Sequence, residues 1–279
     1  MELWLLNTFS TPALATVFIG GIVFVAVTGG LLVRRRFPHT VEGRHNEMIG
    51  VVLGIYGAIY GIILAFVIVA EWEALGVART NVATEATQTA EVLRDASAFP
   101  TEQRHRISDA IGDYVHAIVE KQWPRMREGE PDPGLTNPEI TRIYRAFQTY
   151  EPTTEAEKAY YSQAVSNLGG VAAARRSRLA TSQEQLPVLL TALVYGGALV
   201  VIPLTWVYGI RSIRVQLVFI SAVAALIGVS VLLVLTLDRP FSGDLSISPA
   251  PFKEGILAHY WHEPPEAPHG ASPAPAAAR

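Results

Sequence analysis

Few residues in this 279-residue chain have the type and spacing for chemistry. Glu71 and Glu73 stand where a long apolar stretch ends. Two carboxylates there make a solvated helix end or, repeated around a ring of subunits, an acidic ring that acts on ion selection. Arg175, Arg176 and Arg178 precede another apolar stretch by about ten residues. They read as surface charge paired with nearby acids, or as a cationic collar that draws anions. His116 and Glu120 lie four apart on one helix, and His259 and His262 lie three apart. Each pair supplies only two ligands where a metal site needs about four, so no metal is expected.

The chain has no cysteine, which removes disulfides, thiolate metal sites and cysteine nucleophiles. It has no Gly-rich phosphate loop, no nucleophile elbow and no HExxH. Catalytic residues and a cofactor are therefore not expected, and the protein does not read as an enzyme. With 22 basic and 25 acidic residues and no basic face interleaved with aromatics, a nucleic-acid partner is not expected either. Arginine outnumbers lysine 19 to 3, as in GC-rich bacterial genomes.

The elements that carry these residues follow from the charge distribution. Charged residues make up 17% of the chain, against about 25% in soluble proteins. Windows 12–33, 48–70, 186–210 and 215–237, a third of the chain, contain no Asp, Glu, Lys or Arg. About 20 apolar residues in a helix cross a 30 Å hydrocarbon core, so each window is long enough. The spacing predicts an all-α membrane protein with four transmembrane helices in two hairpins (helices 12–33 and 48–70 within residues 1–71, helices 186–208 and 215–237 within 186–237). A helical soluble domain, 72–185, is inserted between helices 2 and 3, and 238–279 form a C-terminal strap with a disordered Pro/Ala-rich tail. The windows lack the charged residue common in ion-coupled carriers, which counts against a secondary transporter.

Two patterns share the second window. Gly50, Gly54, Gly57 and Gly61 fall on one helical face and mark a helix-packing surface. Ile55, Ile59, Ile62 and Phe66 fall on another; around an oligomer axis they would form an apolar constriction lining a pore. The first window lacks a basic leader and is followed by Arg34, Arg35 and Arg36, so it reads as a retained anchor. Those arginines with Arg44, and Arg211 with Arg214, place both short loops in the cytoplasm by the positive-inside bias. The N-terminus, soluble domain and C-terminus then lie outside the cytoplasmic membrane.

Within 72–185, the helix of window 2 is expected to run on to about Ala98 with Trp72, Leu75, Val82, Ala86 and Leu93 on its apolar side. A second helix carries Ile107, Ile111, Tyr114, Val115 and Ile118 and ends before Pro124. Asn137-Pro138 opens a short helix with Ile140, Ile143, Tyr144 and Phe147, and Thr154 with Glu157 has capping-box spacing for another. Asp238 is placed to cap a turn, and Pro240, Pro249 and Pro251 stiffen the strap.

Five phrases occur in a familiar order: GIYGAIYGIILAFVIVAEWEA, NVATEATQTAEVLRDASAFP, YVHAIVEKQWPRM, AARRSRLATSQEQLP and LTLDRPFSGDLSISPAPF. Together, over residues 10 to 255, they resemble the bacterial bestrophin-like family of uncharacterised four-helix membrane proteins. The resemblance implies the plan of bestrophins, which are pentameric anion channels with helix 2 around the pore and apolar neck residues one turn apart. Two departures stand out: no acidic cluster resembles the bestrophin calcium clasp, and bestrophins keep their termini and bulk domain in the cytosol. The expectation is a homo-oligomeric, pore-forming protein of a bacterial inner membrane, with the lipid bilayer and inorganic ions as partners. The alternative is a non-conducting scaffold or sensor whose helical domain binds a protein or envelope partner, with the glycine face buried against its own helices.

Overall fold

Charge-free stretches of this length leave a helix as the conformation that satisfies every backbone group internally. A computed structural model of the chain describes residues 11–38, 46–244 and 246–261. The readings placed on the first ten residues, on Arg44, on His262 and on the tail lie outside the described residues. Among the described residues the fold is helical throughout, without strands. Four helices are long and apolar enough to cross a membrane: α1 (Thr11–Arg36), α2 (Asn46–Asp95), α7 (Val188–Val207) and α8 (Ile213–Leu237). Between α2 and α7 lie α3 (Thr101–His116), α4 (Trp123–Arg127), α5 (Asn137–Gln148) and α6 (Glu155–Thr181).

The apolar helices do not associate in the order expected. α1 and α2 share little contact; α1 lies against α7 and α8, and α2 against the same two. Small residues decide this. The Trp206 ring occupies the space over Gly29 and Gly30 of α1, and the Tyr60 ring of α2 sits directly on Gly197 of α7 while its hydroxyl donates to the Val194 carbonyl at 2.7 Å. Gly228 of α8 receives Ile19 and Ile22 of α1. The first expected hairpin is thus open, its two helices each docked on the α7–α8 pair.

α2 has 50 residues, about 75 Å of helix, and only its first half is apolar all round. The second half buries Leu75, Ala78, Val82, Ala86, Val92 and Leu93. Its principal neighbour is α6, which brings Ala164, Leu168, Val171 and Leu179 to the same core. Trp72, expected on that stripe, is exposed. The helix after Pro100 does not stop before Pro124. A π-helical segment, Ala117–Gln122, carries it into α4, where Pro124 occupies the first turn and its missing N–H breaks no helical bond.

Thr136, not Asn137, is the residue that precedes α5, and the Asn137 side chain instead accepts from Arg175 at 2.8 Å. Thr154 caps α6 as expected, its hydroxyl accepting from the Glu157 amide at 3.1 Å. Glu157 reaches back one residue further than a capping box, accepting from the Thr153 amide and the Tyr150 hydroxyl. Those donors hold its carboxyl below the usual carboxylate range.

The chain after α8 returns across this core. Asp238 accepts from the Leu186 amide at 2.5 Å, tying the end of α8 to the approach to α7. Phe241 and Phe252 are buried edge-on against Trp123, with ring centroids 5.7 and 6.4 Å away. Gly255 adopts φ +59°, the left-handed conformation that turns the chain into its last short helix. The Tyr260 ring then abuts Gly112, and its hydroxyl donates to the Ser108 carbonyl at 2.8 Å.

Burial pushes the Tyr260 hydroxyl up to about 12, with Ser108 opposing and Asp109 adding to the rise. An unfolded tyrosine titrates near 10. The folded pKa is the higher one, so this contribution to stability is complete below about pH 10 and is lost as pH rises towards 12. Wild-type protein is expected to lose unfolding temperature across that interval faster than Tyr260→Phe. Thermal melts of the two at pH 9 and pH 11 check it, and parallel losses would refute it.

Candidate functional site

The residues expected to line a pore occupy one face of α2. Ile55, Ile59, Ile62 and Phe66 are 59%, 55%, 58% and 73% exposed, turned away from α7 and α8. Tyr60, Leu64 and Val67 on the same helix are buried, in one cluster with Val194, Val201, Ile227, Val231 and Val234. The helix therefore has a face committed to its own subunit and an apolar face that the described residues leave largely exposed.

The glycine stripe is split. A Cβ at Gly50 would touch the Tyr208 ring at 3.4 Å, whereas one at Gly54, Gly57 or Gly61 would meet open space. Gly57 and Gly61 border an apolar cavity of about 360 Å³ with Leu64, Val201 and Leu226. Among the glycines that do bring apolar helices together are Gly29, Gly30, Gly197 and Gly228. Sequence reasoning passed over them, although Gly29-Gly30 and Gly196-Gly197 are small-residue pairs inside apolar windows.

Glu71 and Glu73 diverge. Glu73 is exposed; Glu71 is half-buried and borders a recess of about 190 Å³ with Glu184 and Asp238. The three arginines diverge more. Arg176 is exposed, but Arg175 and Arg178 turn inward. Arg175 donates to Thr136 Oγ1 (2.8 Å), the Pro133 carbonyl (2.6 Å) and Asn137. Arg178 has no exposed surface; its Nε and Nη2 grip both oxygens of Glu85 at 2.6 and 3.0 Å, and Nη2 also reaches Gln122 at 2.8 Å. Tyr114 donates to the same carboxylate at 2.7 Å. Burial opposes charge on the Arg178 guanidinium, but Glu85 beside it outweighs this and raises its pKa. The Tyr114 hydroxyl is pushed well up by burial and by the Glu85 charge. Of the three arginines only Arg176 presents its charge to solvent, because Arg178 lies in a buried ion pair and Arg175 is buried among neutral hydrogen-bond acceptors.

Glu85 was missed in the sequence. The signal was there: it continues the series Leu75, Ala78, Val82 at steps of three and four, so a carboxylate sits on an apolar stripe. His116 is engaged through both ring nitrogens, with Glu120 at 2.9 Å and the Tyr260 carbonyl at 3.1 Å, and its ring lies on Trp261. His259 contacts the Ile256 carbonyl. Among the described residues no group of three or more His, Asp or Glu is placed to hold a metal ion.

Most of α1, the other three apolar helices and the returning segment through Phe252 fall within residues 20–252, which match the family described as Bestrophin-like domain. The chain belongs to the bestrophin-like family. This agrees with the phrases that carried the resemblance, whose span of residues 10 to 255 encloses the matched segment. No curated protein and no solved structure matches the chain. As a member of the bestrophin-like family it is a membrane protein.

Proposed function

We propose that the protein is a homo-oligomeric, pore-forming membrane protein that passes small inorganic ions, possessing no catalytic site. One observation carries this reading: Ile55, Ile59, Ile62 and Phe66 form a continuous apolar row on α2 that the described residues leave largely exposed. Placed around a symmetry axis, such a row makes a constriction that passes or blocks ions by wetting and dewetting. The family supports a ring of subunits, five by resemblance to bestrophins. Glu71, Glu73 and Arg176 supply charge for ion selection beyond the constriction, and the helices α3–α6 form a vestibule. A glycine face filled by the chain's own helices would favour the scaffold reading, and at Gly54, Gly57 and Gly61 that face is open.

The test is ion flux from liposomes containing the purified protein, across a range of pH, calcium and voltage. Ile62→Ala and Phe66→Ala are expected to raise flux by widening the row, while native mass spectrometry gives a single oligomer. A monomer with no flux under any condition refutes the proposal. Sidedness has its own test. A cysteine introduced at Pro131 is expected to react with an impermeant reagent added outside intact cells, since the positive-inside bias puts that loop outside. Reaction only after lysis would reverse the topology.

A further inference from the structure

The end of the apolar bundle opposite the α3–α6 core holds an unsatisfied set of donors. Gln216 on α8 is 1% exposed, and its amide Nε2 has no hydrogen-bond partner among the described residues. The Trp206 indole Nε1 on α7 is likewise buried and unpartnered. Both are donors only, so what would satisfy them is an acceptor. The two lie on adjacent rungs of the α1–α8 contact. Gly30 faces Ile220 and the Trp206 ring, and one turn on (about 5.4 Å) Arg34 Nη1 donates to Gln216 Oε1.

Arg34 also donates to the carbonyls of Ile210 at 3.0 Å and Arg211 at 3.1 Å. Those partners are neutral oxygens, and no carboxylate among the described residues is paired with it. Arg35, Arg36, Arg211 and Arg214 are exposed around the same end. Directly below, an apolar groove of about 250 Å³ runs between α1, α7 and α8, bordered by Ile22, Val25, Leu199, Ile202 and Ile227, and it ends on Trp206. Cationic side chains and two unpartnered donors at a helix-bundle end, above an apolar groove, have the charge and polarity that suit one ligand class.

We propose that this end of the protein binds an anionic phospholipid. A phosphate oxygen accepts from Trp206 Nε1 and Gln216 Nε2 beside the Arg34 guanidinium, and one acyl chain lies in the groove that ends on Trp206. The site is separate from the α2 face, so it does not depend on whether the protein conducts.

The test uses full-length protein, delipidated in neutral detergent and titrated with phosphatidylglycerol, phosphatidylcholine or inorganic phosphate, with thermal shift and native mass spectrometry as readouts. Phosphatidylglycerol is expected to bind and stabilise several-fold more tightly than phosphatidylcholine, with inorganic phosphate far weaker. Trp206→Phe keeps an aromatic ring beside Gly30 but removes the N–H, and should weaken phosphatidylglycerol about tenfold, the scale of one hydrogen bond to a charged group. Leu199→Trp, at a residue 75% exposed, fills the groove and should weaken the lipid without changing phosphate binding. Equal affinity for the two lipids, or no effect of Trp206→Phe, overturns the proposal. So does a site that inorganic phosphate saturates as well as lipid does and that Leu199→Trp leaves unchanged, which would make the ligand a free anion.

Discussion

Arg178→Ala is expected to lower stability by about 3–5 kcal/mol, the cost of leaving a buried carboxylate without its counter-charge. Glu85 is fully buried on α2, and Arg178 supplies two of the three side-chain hydrogen bonds it accepts, Tyr114 the other. Truncation would also open the space between Met126, Gln122 and the Trp123 ring, over which the guanidinium lies at 5.8 Å. Glu85→Ala should cost a similar amount, because it strands the arginine instead. Arg178→Lys retains the charge but lacks the planar fork that grips both oxygens, and should recover only part of the loss. The double variant Glu85→Met with Arg178→Met removes both charges and should be more stable than either alanine variant. Arg176→Ala, at an exposed neighbour, should stay within about 0.5 kcal/mol of wild type. Denaturant unfolding of the detergent-solubilised protein measures the set. If Arg178→Ala were as mild as Arg176→Ala, the pair would not be the keystone described.

The second large effect is expected at Phe252. This ring has no exposed surface and meets Trp123 in a core that also holds Phe241, Ile247 and Leu257. Truncating a buried phenylalanine costs about 3–5 kcal/mol through lost burial and the cavity left behind. Its carbonyl also accepts from the Trp261 indole at 2.9 Å, and Trp261 lies on His116, so the segment is held by linked contacts. Phe252→Ala should therefore release residues 240–261 together and not merely soften the core. Limited proteolysis is the discriminating measurement: cleavage between Pro240 and Trp261 should become rapid, while α6 stays protected. A variant that loses stability with no new cleavage in this segment would show that Phe252 fills space without anchoring the strap.

Much of this architecture was legible in the chain. A lone charge is costly in hydrocarbon, so the four windows without Asp, Glu, Lys or Arg mark where the four apolar helices begin to within a few residues. The continuous α2 and the Thr154 cap are likewise local matters of helical spacing and of side chain to nearby backbone. Pro124 misled because proline stops a helix only where an N–H is needed, and the π-helical segment puts it in a first turn.

What the sequence by itself determined is the identity of the elements: how many apolar helices there are, where they begin, which face of α2 is apolar and which residues cap α6. Each depends on neighbours within one or two turns. Only the tertiary structure decided which of those faces find partners. Glu85 and Arg178 are 93 residues apart, so nothing local told a buried strut from a surface collar. The four glycines of α2 have the spacing of a packing stripe, but contact also needs a side chain opposite. The structure places Tyr60 on Gly197 and Trp206 on Gly29 and Gly30, and it leaves Gly54, Gly57 and Gly61 open. Helical periodicity gives the direction in which a residue points; burial and charge pairing depend on what the fold brings to meet it.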